Sequence, residues 1–112
     1  MVEDRRTREE RKSLWLHTVV AGRVARDPRG TLERARVNLV RMRAAHGAAA
    51  PWLGRWEQLI AAGPERVIRT LVGDTPEARE LRQNSPFAGV LTDDERLRVL
   101  AAFRSSDRPA SA

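Results

Sequence analysis

No cysteine occurs anywhere in the chain, which excludes disulfides, thiolate metal sites and cysteine nucleophiles. Tyrosine is absent as well. The aromatics are limited to Trp15, Trp52, Trp56, Phe87 and Phe103, so these five must anchor whatever core forms. No apolar run approaches the ~20 residues that a membrane-spanning helix requires. The opening MVEDRRTREERK mixes both signs of charge with no apolar signal-peptide core directly behind it, which points to a cytoplasmic protein without membrane contact. Glycines stand singly at the ends of periodic segments, so no phosphate-cradling loop is present. The alternating pattern of a β-strand is missing throughout.

Lysine is nearly absent too, and Lys12 is the only one. The net charge of +6 is therefore arginine charge, and it is unevenly spread. Between residues 13 and 50, Arg23, Arg26, Arg29, Arg34, Arg36, Arg41 and Arg43 face only Asp27 and Glu33. The last third of the chain is close to balanced. A basic surface concentrated on one part of a domain suits an acidic protein surface or a phosphate backbone. With 112 residues, one modest core is the most the chain can build.

Read in order, the chain is one amphipathic helix after another. A first helix runs from about Arg5 to Arg26, charged at its start. From Leu14 onward it is apolar over much of its circumference, as expected of a hub that neighbours surround. Asp27-Pro28 starts a second helix with the buried stripe Leu32, Ala35, Leu39, Met42 and His46, and Gly47 stops it. Ala50-Pro51, Gly63-Pro64 and Thr75-Pro76 start a third, fourth and fifth. Pro86 breaks the pattern. An apolar loop follows, Phe87 to Leu91, interrupted by Gly89. Thr92-Asp93-Asp94-Glu95 is then a capping box that opens a sixth helix, with Leu97, Leu100 and Phe103 inward. The expected architecture is an all-α compact bundle of about six short-to-medium helices with antiparallel neighbours. Residues 1–12 are expected to form a charged helical extension, 13–104 the domain and 105–112 a disordered tail.

Catalytic chemistry finds little to stand on. His17 and His46 fall on different helices, and Ser13 and Ser85 lack a nearby general base in sequence. Asp93, Asp94 and Glu95 resemble a metal cluster but occupy a first helical turn, where the helix dipole already accounts for them. No catalytic residue, metal or cofactor is assigned. Two binding readings remain. For nucleic acid, Arg34, Arg36, Arg41 and Arg43 would contact phosphates, although neither a helix-turn-helix nor an aromatic stacking platform accompanies them. For a partner protein, the apolar loop and the hub helix offer Trp15, Phe87, Val90 and Leu91 as contact residues. Those same side chains would equally serve to pin the last helix to the body, and the residues alone leave core and interface open.

LRQNSPFAGVL at 81–91 resembles a segment of a group of small helical actinobacterial proteins. Their similar layout includes RKSLWLHTVVAGRV-like first, DP-x-x-x-LERARVNL-like second and PWLGRWEQLI-like third helices, and an ER-x-x-VLAAF ending. The resemblance covers nearly all of residues 12–104. These proteins are associated with genes beside helix-turn-helix regulators, in arrangements resembling toxin–antitoxin operons. The resemblance implies a non-enzymatic antitoxin-like or accessory regulator that binds another protein, either a toxin or a helix-turn-helix regulator. It carries no catalytic residues. Self-association stays open.

Overall fold

Every proline-led start in the sequence is used. In the computed structural model, which describes residues 6–47 and 50–107, α1 spans Arg8–Arg26 and α2 Pro28–His46. They are followed by α3 Pro51–Ala62, α4 Pro64–Val72, α5 Pro76–Gln83 and α6 Asp93–Ser106. Proline stands at the first position of α2, α3, α4 and α5, where a missing N–H leaves no hydrogen bond unmade. Asp27 caps α2 by accepting from the Gly30 N–H, and Thr75 caps α5 by accepting from Ala78. Thr92 and Glu95 form both halves of the capping box at α6. No strand occurs among the described residues, and the fold is an all-α bundle.

Both ends differ from expectation in detail. Thr7 accepts from the Glu10 N–H and starts α1 at Arg8 rather than at about Arg5. At the other end, α6 continues through Ser105 and Ser106, and the Asp107 N–H bonds to the Phe103 carbonyl. The first three residues of the expected disordered tail are therefore helical or capping. The remainder, 108–112, lies outside the described residues, as do residues 1–5 of the charged extension.

α1 is the hub: it packs against α2, α4, α5 and α6. Val20, Ala21 and Val24 are its buried face. Leu53, Trp56, Val67 and Leu71 complete the centre without solvent contact. Trp56 is the pivot of this core. Its indole N–H donates to the Leu81 carbonyl at 3.1 Å, which removes the usual penalty for burying that polar group. Its ring meets Phe87 edge-on, with centroids 5.5 Å apart.

α6 sits differently, packing chiefly along α1. Phe103 is buried and Leu100 half-buried, as an inward stripe requires. Leu97 is 59% exposed, against expectation, because α6 meets the body along one neighbouring helix and that residue faces away from it.

Candidate interaction surfaces

The loop between α5 and α6 is folded inward. Pro86, Phe87 and Val90 are buried, Leu91 is half-buried, and Ala88 and Gly89 are exposed. Gly89 makes the reversal with φ of +81°, a conformation that side chains with a Cβ rarely adopt. A Cβ there would also stand 2.5 Å from the Arg34 guanidinium. Two side chains hold the loop's carbonyls. Asn38 Nδ2, on α2, donates to Pro86 O at 2.7 Å and Ala88 O at 2.8 Å. Arg23, on α1, donates to Val90 O at 3.3 Å and to Glu95 at 2.5 Å. Phe87 and Val90 are thus core residues in this structure. Of the two readings left open for them, core and partner contact, they take the core position here, held by the Asn38 staple and, for Phe87, by the Trp56 edge.

Asn38 escaped the sequence reading, though a signal for it existed. It is a polar residue at helical spacing on the buried face of α2, between Ala35 and Met42. Replacing it with leucine removes both donors and leaves the two loop carbonyls without their protein partner. We expect Asn38→Leu to lose about 2–3 kcal/mol in urea unfolding, on the magnitude for orphaned buried acceptors.

Of the two other apolar contacts named from the sequence, Leu91 is half-buried and Trp15 is on the surface at 38% exposure. It packs edge-on against Phe103 of α6, with centroids 5.7 Å apart. The Arg8 guanidinium stands 5.2 Å from the same Phe103 ring. Asp107 accepts from Arg8 at 3.1 Å and Arg11 at 2.8 Å, closing one end of the seam, and Arg23–Glu95 closes the other. These pairs fix α1 and α6 as antiparallel. The guanidinium of Arg11 holds the Asp107 carboxyl below its ordinary range, and the Thr92 backbone N–H and then Arg23 do the same for Glu95. Val19, one turn from Trp15, is 40% exposed, so this face of α1 leaves two apolar side chains in water.

The four arginines assigned to phosphate all lie on α2 but not in one state. Arg36 pairs with Glu33 at 3.4 Å, and Arg43 pairs with Glu57 of α3. Arg34 lies against Gly89, and Arg41 is exposed. Neither of the last two forms an ion pair among the described residues.

Among the described residues, neither histidine is hydrogen-bonded to a carboxylate. His17 Nδ1 is 2.7 Å from the Ser13 carbonyl. Its ring lines a cavity of about 210 Å³ that Ser85 also lines, but no hydrogen bond joins the two. Burial lowers the His17 pKa from 6.5, offset in part by the Ser13 carbonyl and reinforced by the Arg82 charge. The unfolded chain therefore binds the proton more readily. Stability is at full value above about pH 6.5 and falls as the pH drops from there toward the folded pKa. The melting temperature should decline between pH 7 and 5.5, and His17→Gln should flatten that decline. An unchanged slope in the variant would assign it to other groups. His46 is exposed and stacks edge-on with Trp52, with centroids 5.6 Å apart.

Among the described residues, no three His, Asp or Glu side chains are placed to hold a metal ion, and no helix is long and apolar enough to cross a membrane. No protein-family model, curated protein or solved structure matches the chain.

Proposed function

We propose that this chain is a non-enzymatic protein-interaction module, an antitoxin-like or accessory regulator, acting in the cytoplasm and binding its partner protein through the exposed α1–α6 seam. The observation that carries the reading is Trp15. A half-exposed indole with exposed Val19 one turn further along α1 combines a large apolar contact with a polar N–H, the kind of side chain that dominates interface energetics. The antitoxin-like part of the reading rests on the resemblance noted for LRQNSPFAGVL at 81–91. Phe87 and Val90 then act indirectly by fixing the loop that leads into α6, and half-buried Leu91 lies at the base of that helix.

Trp15→Ala tests the proposal. The side chain packs mainly on Phe103 and keeps much of its surface in water, so helical content should hold and the melting temperature should drop modestly. Capture of the partner, a toxin or a helix-turn-helix regulator encoded nearby, should fall by about tenfold or more, the hot-spot range. Nuclease treatment should leave capture by the wild-type chain intact. Equal capture by both chains would remove the seam from the interface.

The alternative is a nucleic-acid-binding regulator. It draws support from Arg34 and Arg41, which hold charge without acidic partners among the described residues. On that reading binding weakens steeply with salt, and reversing Arg41 lowers affinity for all sequences alike. It accounts for less of the structure, since Arg36 and Arg43 already have acidic partners.

A further inference from the structure

The outward face of α2 carries a feature that neither the core nor the α1–α6 seam uses. Val37 is 41% exposed and Val40 70% exposed. With Ala44 they follow a spacing of three and four residues, which places all three on one line of the helix. The buried line of Leu32, Ala35 and Leu39 lies on the opposite side. Exposed valines add nothing to the packing of α2, and their branching makes them poorer helix formers than alanine. Arginines flank this line on both sides: Arg29, Arg36 and Arg43 recur every seven residues along one edge, and Arg34 and Arg41 do so along the other. Glu33 is the only acid in α2. Arg29, Arg34 and Arg41 form no ion pair among the described residues.

Beside the line, α2 and α3 enclose a groove of about 330 Å³ lined by Leu39, Val40, Ile60 and Ala61, with Arg36, Arg43 and Glu57 at its rim. A groove of this kind accepts an aliphatic or aromatic side chain. Val37 to Ala44 spans about 10 Å, roughly two helical turns, and Arg29 to Arg43 about 21 Å.

We propose that this face docks an acidic amphipathic helix of another protein, its apolar side chains set on Val37, Val40 and the α2–α3 groove. Its carboxylates meet Arg29 on one edge and Arg34 and Arg41 on the other, while Arg36 and Arg43 keep their pairs with Glu33 and Glu57. The apolar midline decides between a helix and a nucleic acid. Phosphates would satisfy the arginines but would bury the valines and the groove against charged or polar groups, with nothing gained for the water removed. A helix with leucines at matching spacing covers the apolar line and pairs Arg29, Arg34 and Arg41 together. Together with the α1–α6 seam, this gives the chain two separate binding surfaces and the layout of a bridging protein.

The test uses the full chain and a fluorescein-labelled designed peptide of about 16 residues, long enough to reach both arginine ends. Its leucines follow a three-four spacing and its flanks are glutamate. Saturable binding by fluorescence anisotropy is expected, with a composition-matched scrambled peptide at least about tenfold weaker. Val40→Asp and Arg41→Glu, both at exposed positions, should each weaken binding by about tenfold with helical content unchanged. Trp15→Ala should leave it unaltered, which keeps this surface independent of the one proposed for the partner protein. No binding to the wild-type chain would overturn the proposal. So would equal affinity for the scrambled peptide, or indifference to Val40→Asp. A short DNA duplex that binds more tightly than the peptide, and responds to Arg41→Glu but not to Val40→Asp, would overturn it in favour of nucleic acid.

Discussion

Phe87→Ala should destabilise the fold by about 3–5 kcal/mol, the range for deleting a buried phenylalanine. That is a large part of what a domain of this size has, since marginal stabilities run at about 5–15 kcal/mol. The side chain is 4% exposed and sits edge-on against Trp56, which is itself without solvent contact. The cavity left behind is bordered by a backbone that cannot collapse freely, because Asn38 holds the carbonyls on both sides of residue 87. Urea unfolding followed by Trp fluorescence gives the loss directly. A double-mutant cycle with Trp56→Leu should return a coupling of about 0.5–1.5 kcal/mol for the aromatic pair. A Phe87→Ala chain as stable as wild type would mean the loop is not docked in solution, and Phe87 would then return to the list of partner contacts. Any loss of partner capture in this variant should track the unfolded fraction, whereas Trp15→Ala should lose capture while staying folded.

That contrast marks where the sequence was legible and where it was not. Helix starts were readable because each rests on local chemistry: proline at the first turn, Asp27, Thr75 and Thr92 as caps, and the Glu95 reciprocal bond. The hub character of α1 was also readable, since a helix apolar over much of its circumference needs neighbours on several sides. Which apolar residues end up covered depends on contacts between segments far apart in sequence. Phe87 is buried because Trp56, thirty-one positions earlier, presents a ring edge to it. Leu97 is exposed because, although one helical step of three from Leu100, it stands six residues from Phe103, about 120° round the helix, and among the described residues no element covers that side of α6. Periodicity assigns a face without saying whether another element arrives to cover it. Among the four arginines assigned to phosphate, helical spacing puts Arg34 and Arg41 farther from the buried stripe of α2, with Arg36 and Arg43 flanking it. It could not show that the flanking pair already have acidic partners, one of them on the next helix.

Arg82 is the residue that sequence reasoning passed over most completely, and it carries the second large effect. In the sequence it is one charge near the end of α5, where basic residues are ordinary. In the structure it is 3% exposed and its guanidinium reaches the end of α4, donating to Thr70 O at 3.1 Å, Leu71 O at 3.4 Å and Gly73 O at 2.6 Å. The last carbonyls of a helix have no partner within it, and here one side chain from the next helix supplies the donors while setting positive charge at the negative end of the dipole. Burial lowers the Arg82 pKa, opposed by the charge of Asp74, yet a guanidinium's ordinary value is so high that the group stays protonated. Arg82→Met keeps much of the stem volume and removes the charge and the donors together, leaving the Leu71 carbonyl buried without its donor and those of Thr70 and Gly73 half-buried. We expect a loss of about 3 kcal/mol in urea unfolding, the scale of a charged hydrogen bond together with an orphaned acceptor. All three bonds come from Nη1, and lysine should recover only part of the loss, because an ammonium is more strongly hydrated than a guanidinium and costs more to bury. Amide exchange should quicken at the α4–α5 corner before it does in α1, since the corner loses its tie while the hub keeps its packing. If Arg82→Met proves as stable as wild type, water must reach those carbonyls and the arginine is a passenger at the corner. If Arg82→Lys matches wild type while Met fails, a positive donor at the end of α4 is what the corner needs, whichever side chain carries it.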